Sequence, residues 1–375
     1  MARKKAVKAG RVGLQDLMKL VNKKAGRPVA HDLTGENPTE VKEWIPTGSR
    51  WLDSIICKGQ RAGVPVGKVT EIAGLEATGK SFMAAQTAAN AQKMGMNVVY
   101  MDAESAIDPS FLQRTGCDLE NLIYVQAQSV EHVLETVEAV LDSGATRTLF
   151  IWDSLALTPT VSDVEGDFNP NSTMAVKARV LSKGMSKLTV PIANTQSAFL
   201  VLNQLKTNIP QGPNARIIAM TTPYITPGGK SMNYVYSLRI WLTGRKAKAA
   251  FIVDESGFRI GSEVKVKLEK SRFGTAGRNC AFKILWGSED IGVQDRESWL
   301  EAIKISDNLK QAGAWYSLVY ADGTEEKFQS AHWLDKLEDD KFRNRVFKIM
   351  DEEIIKKFDN REGDAGDFYD VDKEE

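Results

Sequence analysis

A short, largely apolar run at residues 69–73 leads directly into Gly74, Leu75, Glu76, Ala77, Thr78, Gly79, Lys80 and Ser81, and a helical pattern takes over at 81–94. Few patterns constrain a fold as tightly. Two glycines, a lysine and a hydroxyl residue at this spacing, between a strand and a helix, make a P-loop. The glycines let successive backbone N–H groups curl around phosphates, and the start of the helix adds a field that favours negative charge. Lys80 is placed to reach the outer phosphates of a nucleotide, and Ser81 to bind Mg²⁺.

The rest of the chain follows from that unit. Apolar runs recur at 98–101, 149–152, 199–202 and 238–242, with helical patterns at 131–141 and 175–188 between them. Strands alternating with helices predict a mainly parallel sheet covered on both faces. The later runs, 251–253, 264–268 and 282–286, have no helices between them and predict an antiparallel extension of the same sheet. Beyond Asp295 the pattern is mainly helical with one short strand pair, 315–320 and 325–328, which predicts a small α+β lobe.

Several of these runs end on polar groups. Residues 149–153 close on Asp153, which would stand beside the P-loop and hold a magnesium-bound water. An ordinary strand ending in an Asp turn is the alternative. Residues 98–104 close on Glu104, placed to orient a water for attack on a terminal phosphate, with a solvated loop acid as the alternative. Residues 199–204 close on Gln204, whose amide could bond that phosphate and report its loss to the loop that follows.

Net charge is zero but unevenly placed. Residues 1–27 carry nine Lys or Arg against Asp16, and residues 359–375 carry eight acids against Arg361 and Lys373. A basic head and an acidic tail suit contact with a polyanion and a mimic that competes with it, or else two solvated ends. Residues 13–24 read as a helix with Leu14, Leu17, Met18 and Val21 on one stripe, and 26–38 reads as a linker. No stretch approaches the ~20 apolar residues of a membrane span, and the basic start lacks the apolar run of a secretory signal. Cys57, Cys117 and Cys280 show no metal-ligand spacing and suit packing in a reducing cytoplasm, so a cytoplasmic location is expected.

The series of motifs resembles the RecA family of recombinases from about Ile45 to about Ser317. The lead-in from Ile45 to Asp53 and the P-loop with Glu76 at its third position match the family's forms. So do Asp102 to Pro109, Asp153 with Ser154, Asn203 with Gln204, Gly228 with Gly229, and Ala312 to Ser317. The resemblance implies an ATP- and Mg²⁺-dependent, DNA-stimulated ATPase. It would form an open helical homo-oligomer on single-stranded DNA and exchange strands with homologous duplex DNA. A single-strand-binding protein and a loading mediator are implied partners.

The resemblance also implies residue roles. Asp108 and Phe111 would contact adenine. Residues 164–174 and 205–227 would be two DNA-binding loops, with Arg179, Lys187, Lys206, Arg216, Gly228 and Gly229 along the DNA path. Lys270 and Arg272 would cross to a neighbouring subunit's nucleotide, and Tyr234 would lie at that interface. On residue physics alone the loops are poor in cations and aromatics, with only Phe168 and Tyr224 as stacking rings.

The run Glu269, Lys270, Ser271, Arg272 and the longer loops resemble phage recombinases of the UvsX type more than the bacterial form. That puts a bacterial role such as stimulating repressor self-cleavage in doubt. A hexameric RecA-fold motor would share the P-loop and the Asp153 strand. A non-catalytic mediator would not need Lys80 and Glu104 intact.

The expected organisation is a basic arm and helix at 1–38, a RecA-type P-loop ATPase core at 39–290, a small lobe at 291–358 and an acidic tail at 359–375.

Overall fold

The computed structural model describes residues 13–26, 28–32, 40–166, 175–244, 250–287 and 291–355. Most of the basic head, Phe168 with the middle of the first loop, and the acidic tail lie outside the described residues. The chain divides into two compact units, 1–42 and 43–375.

In the first unit, helix α1 (Leu14–Ala25) forms where the apolar stripe predicts it, and Gly26 stops it in the left-handed region at φ 67°. Leu14, Leu17, Leu20 and Val21 are all exposed. The segment expected as a plain linker is tied back to the helix. Asn22 Oδ1 accepts from the N–H groups of Val29 and Ala30 at 2.8 and 2.7 Å, and its Nδ2 donates to the Ala30 carbonyl at 3.1 Å.

The second unit opens with β1 (Trp44–Ile45), α2 (Arg50–Ile56) and β2 (Val64–Pro65), the two strands pairing antiparallel. The central sheet then takes β3 (Val69–Gly74), β4 (Asn97–Asp102), β5 (Leu122–Gln126), β6 (Thr148–Asp153) and β7 (Ala198–Gln204). A two-strand ribbon of β8 (Lys206–Thr207) and β9 (Tyr224–Ile225) stands apart from it. The sheet continues with β10 (Leu238–Gly244), β11 (Phe251–Val253), β12 (Arg259–Ser271), β13 (Asn279–Leu285) and β14 (Gly292–Gln294). Strand order is β14-β13-β12-β10-β3-β7-β6-β4-β5, with β11 on β12. From β10 to β5 every pairing is parallel; from β10 to β14 every pairing is antiparallel. The parallel sheet and its antiparallel extension both stand as the periodicity predicts. Strands β5 and β14 are additions; β5 stands at the sheet edge with three of its five residues exposed.

Alternation along the strands separates the two faces. Leu149, Ile151, Leu200 and Tyr100 pack toward α3 (Lys80–Lys93), in a core that continues without a break into the C-terminal lobe. Phe150, Trp152, Phe199 and Met101 pack toward α5 (Val130–Asp142) and α7 (Val176–Asn194), which follow α4 (Pro109–Arg114) and α6 (Val161–Glu165) in chain order. Gly184 of α7 lies against Leu134 of α5 so closely that any Cβ would collide with it.

The lobe combines α10 (Asp295–Ile303) with a three-stranded antiparallel sheet of β15 (Leu309–Ala312), β16 (Trp315–Val319) and β17 (Glu325–Gln329). Here β15 joins the expected strand pair. Arg50 fastens α2 to this lobe through Asp351 at 2.9 Å and lies 3.9 Å over the Phe347 ring. Among the described residues no helix is long and apolar enough to cross a membrane.

Candidate nucleotide site and loop roots

Parallel pairing brings the polar strand ends to one edge. Gly74 is level with Gln204, and Asp102 with Asp153. A cavity of about 910 Å³ opens there, lined by the P-loop together with Glu104, Asp153, Gln204 and Arg259. The loop closes on itself, with Thr78 Oγ1 donating to the Leu75 carbonyl at 2.8 Å. Gly79 turns the chain into α3 at φ 83°, and a Cβ there would collide with Ile284. Lys80 Nζ donates to the carbonyls of Gly74 and Leu75 at 3.3 and 3.0 Å, and burial draws its pKa down. The cavity volume, the open N–H cradle and this cation suit a nucleoside triphosphate.

Ser81 Oγ donates to Asp153 Oδ2 at 3.1 Å, and Tyr100 Oη donates to the same oxygen at 2.9 Å. Burial pushes the Asp153 carboxyl up to about 6, opposed by the Tyr100 bond and reinforced by Glu104 nearby. A hydroxyl and a carboxylate in contact form the hard oxygen donor set that suits Mg²⁺ held with phosphates. Glu104 Oε1 accepts from Ser154 Oγ at 2.8 Å. The loop carrying Glu104 is shaped by Asp102, whose carboxylate accepts from the N–H groups of Glu104, Ala106 and Ile107 at 2.8, 3.0 and 3.2 Å. Tyr124, on β5, adds a fourth bond to it at 3.2 Å.

Behind Gln204 lies a buried polar relay. Asn203 Oδ1 accepts from the Gln204 N–H at 2.9 Å, while its Nδ2 donates to Glu71 at 2.9 Å and to the Pro227 carbonyl at 3.0 Å. Arg239 pairs with Glu71 at 2.6 Å and donates to Thr226 at 2.8 Å. The strand of the P-loop, the strand of Gln204 and the exit of the second loop thus share one network.

The second loop has structure of its own: the β8–β9 ribbon at its base and α8 (Ala215–Thr221) beyond it. Lys206 lies in the ribbon and Arg216 in α8, both exposed. Gly228 and Gly229 take φ 111° and 82°, and Gly229 opens the short helix α9 (Lys230–Val235). A Cβ at Gly229 would come 3.0 Å from the Ala178 Cβ, so the loop exit lies on the start of α7, beside Arg179.

Other candidates are not brought to the cavity. Asp108 caps α4 by accepting from the Ser110 N–H at 3.0 Å, and Phe111 meets Phe82 edge-on at 4.7 Å. Lys187, ten residues along α7 from Lys177, stands about 15 Å further on and pairs with Glu138. Lys270 is level with Arg239, and Arg239 with Glu71, at the far end of the strands from Gly74. That is about 10 Å along the sheet and about 10 Å across it from the P-loop. Lys270 donates to the Asn233 carbonyl at 2.5 Å and Arg272 to that of Tyr234 at 2.6 Å, beside the exposed Tyr234 ring.

Sequence reasoning placed Ser154 in a motif without giving it a role, and it missed Tyr100, Tyr124 and Arg259. Ser154 directly follows a singled-out Asp. The others carry no local motif, since strand pairing alone sets their positions.

The family model described as "RecA N-terminal domain" matches residues 13–291. Protein RecA of Fusobacterium nucleatum is 32% identical over 306 residues, covering 81% of this chain and 75% of that protein. Protein RecA of Streptomyces avermitilis is 31% identical over 284 residues, covering 76% and 70%. Protein RecA of Haemophilus ducreyi is 28% identical over 333 residues, covering 87% and 84%. With a complete P-loop edge and a match over most of its length, the chain belongs to the RecA family of DNA-dependent ATPases that act in recombination and repair.

Proposed function

We propose that this chain binds ATP with Mg²⁺ at the P-loop edge and couples its hydrolysis to homologous pairing and strand exchange on single-stranded DNA. The observation that carries the reading is the joint placement of Lys80, Ser81, Asp153, Glu104 and Gln204 on one 910 Å³ cavity. The residues from Gly74 to Gly79 would wrap the phosphates, and Lys80 would leave its loop carbonyls for the outer phosphates. Ser81 and Asp153 would hold the metal, which screens phosphate charge when bound. Glu104, held by Ser154, would orient the attacking water and receive its proton. Gln204 would bond the terminal phosphate and pass its loss through Asn203 to Pro227.

The distance of Lys270 and Arg272 from their own P-loop favours action on a neighbour's nucleotide, in an open head-to-tail filament. Asp108 and Phe111 would then meet adenine at the subunit boundary. Arg179, Lys206, Arg216, Gly228 and Gly229 would follow the DNA, and Lys187 would reach it only by leaving Glu138. The basic arm at 1–38, the core at 39–290, the C-terminal lobe at 291–358 and the acidic tail at 359–375 would act as separate functional parts. A single-strand-binding protein and a loading mediator would serve it in the cytoplasm of a bacterium or of a phage-infected cell. The phage-like character rests on residues 269–272 and the loop lengths.

Strand exchange between circular single-stranded and homologous linear duplex DNA, with ATP, tests the proposal. Joint molecules and nicked-circle product are expected. Duplex unwinding without homology, by closed rings seen in electron micrographs, would favour the motor reading instead.

A further inference from the structure

The ammonium of Lys177 donates to three backbone carbonyls, those of Leu155 and Thr158 at 2.7 Å each and that of Ala156 at 3.3 Å. Lys177 is the second residue of α7, and no acid stands in that helix's first turn. The helix dipole disfavours a cation there, so helix stability gives no reason for this lysine. Its side chain is half-buried, and burial draws its pKa down to about 8. The carbonyls are what compensate the charge for lost water.

Those carbonyls belong to the turn that leaves β6. The same turn supplies Ser154, which holds Glu104 at 2.8 Å, and Leu157, which lines the nucleotide cavity. Thr158 closes the turn by donating to the Ser154 carbonyl at 2.7 Å, and Trp152 Nε1 donates to Thr158 at 2.8 Å. The Leu155 N–H donates to the Leu202 carbonyl at 3.0 Å. Holding this turn therefore holds the Ser154 hydroxyl.

Lys177 stands at the start of α7, between the end of the first loop and the exit of the second. Asp163, in the capping box of α6, attracts it, and Lys206, at the start of the second loop, repels it. Gly228, at the second loop's exit, lies on Leu155, where an added Cβ would come to 3.3 Å. Its neighbour Gly229 lies on Ala178, the residue after Lys177.

We propose that Lys177 is a positioning residue that couples the two DNA-loop roots to Glu104, by clamping the Ser154–Thr158 turn from which Ser154 orients that carboxylate. The proposal rests on the catalytic reading of Glu104. DNA held along the second loop acts on this turn through Gly228 against Leu155 and Gly229 against Ala178.

The test compares Lys177→Met, Lys177→Arg, Ser154→Ala and the Lys177→Met/Ser154→Ala double variant. The readouts are kcat and KM for ATP on saturating single-stranded DNA, with DNA affinity across a salt series. Lys177→Met is expected to lower kcat about tenfold with KM within about twofold, and Lys177→Arg to restore most of it. Ser154→Ala should lower kcat similarly, and the double variant should be no slower than Ser154→Ala alone, because both act through one hydroxyl. If the methionine variant does not fold, Lys177→Gln, which keeps an amide donor, takes its place with the same expectation at smaller size. Multiplicative losses in the double variant overturn the proposal, since Lys177 would then act by another route. So does an unchanged kcat with a salt slope reduced by about 0.7, the mark of one lost phosphate contact. Normal turnover in both Ser154→Ala and Glu104→Gln would instead sink the reading of Glu104 itself, and this proposal with it.

Discussion

The carboxylate of Glu71 and the guanidinium of Arg239 meet at 2.6 Å inside the central sheet, on neighbouring strands at the same level. Glu71 is fully buried and Arg239 nearly so. A buried pair of this kind gains from Coulomb attraction but loses the hydration of two charges, so its net contribution is small while the loss of one partner is costly. Arg239→Met is therefore expected to destabilise the protein by about 3–5 kcal/mol, because Glu71 is left buried without its opposite charge. Glu71→Leu/Arg239→Met should recover a large part of that loss. Urea unfolding of the three proteins checks the order. A double variant less stable than Arg239→Met would mean that packing, not charge, makes the site sensitive.

Lys80 and Glu104 stand on the same cavity with different work to do. Lys80→Ala should abolish turnover and weaken nucleotide binding. Glu104→Gln should still bind ATP but turn it over about 10²–10⁴ times more slowly, since an amide cannot take the proton from water. Its filaments on DNA should persist longer. Binding of a fluorescent ATP analogue and steady-state turnover separate the two effects. Weak nucleotide binding by Glu104→Gln would make Glu104 structural.

Lys270 and Arg272 lie with Tyr234 at the opposite end of the strands from the P-loop. A Lys270→Ala/Arg272→Ala protein keeps a good P-loop, and a Glu104→Gln protein keeps good basic residues. Each alone should be nearly inactive. In an equal mixture on DNA, random assembly makes about a quarter of interfaces intact, as with an arginine finger supplied in trans. ATPase activity should rise well above the sum of the two proteins apart. A merely additive value from proteins that co-assemble would put these residues at work within their own subunit.

Residues 359–375 carry eight acids. Their removal should strengthen duplex DNA binding and extend it to higher salt, because carboxylates no longer compete for the basic surface. Fluorescence anisotropy with a labelled duplex across a salt series is the check. Identical curves would reduce the tail to a solvated end.

What the sequence by itself determined is what local pattern encodes. The P-loop fixes its own shape, because Gly79 must adopt a positive φ and Lys80 must follow it at the start of a helix. Five buried strands and three of the four in the antiparallel extension were legible, since apolar runs have few other uses; the short β14 was not. That Asp153, Glu104 and Gln204 would share the P-loop's edge followed from parallel strands ending together.

Tertiary structure decided what depends on partners distant in sequence. Edge strand β5 supplies Tyr124 to Asp102, a bond that only its pairing with β4 creates. Ser154 gains its role only when the end of β6 lies beside the loop of Glu104. Arg259 enters the cavity only because β12, antiparallel to β10, begins at the P-loop edge. Lys177 looks like any solvated helix lysine until the Leu155–Thr158 carbonyls are seen to gather on it. Glu71 and Arg239 are far apart in the chain, and only strand pairing shows that their charges cancel. Local propensity carries no information about such contacts, because their energies arise from desolvation and partner geometry that exist only once the sheet has formed.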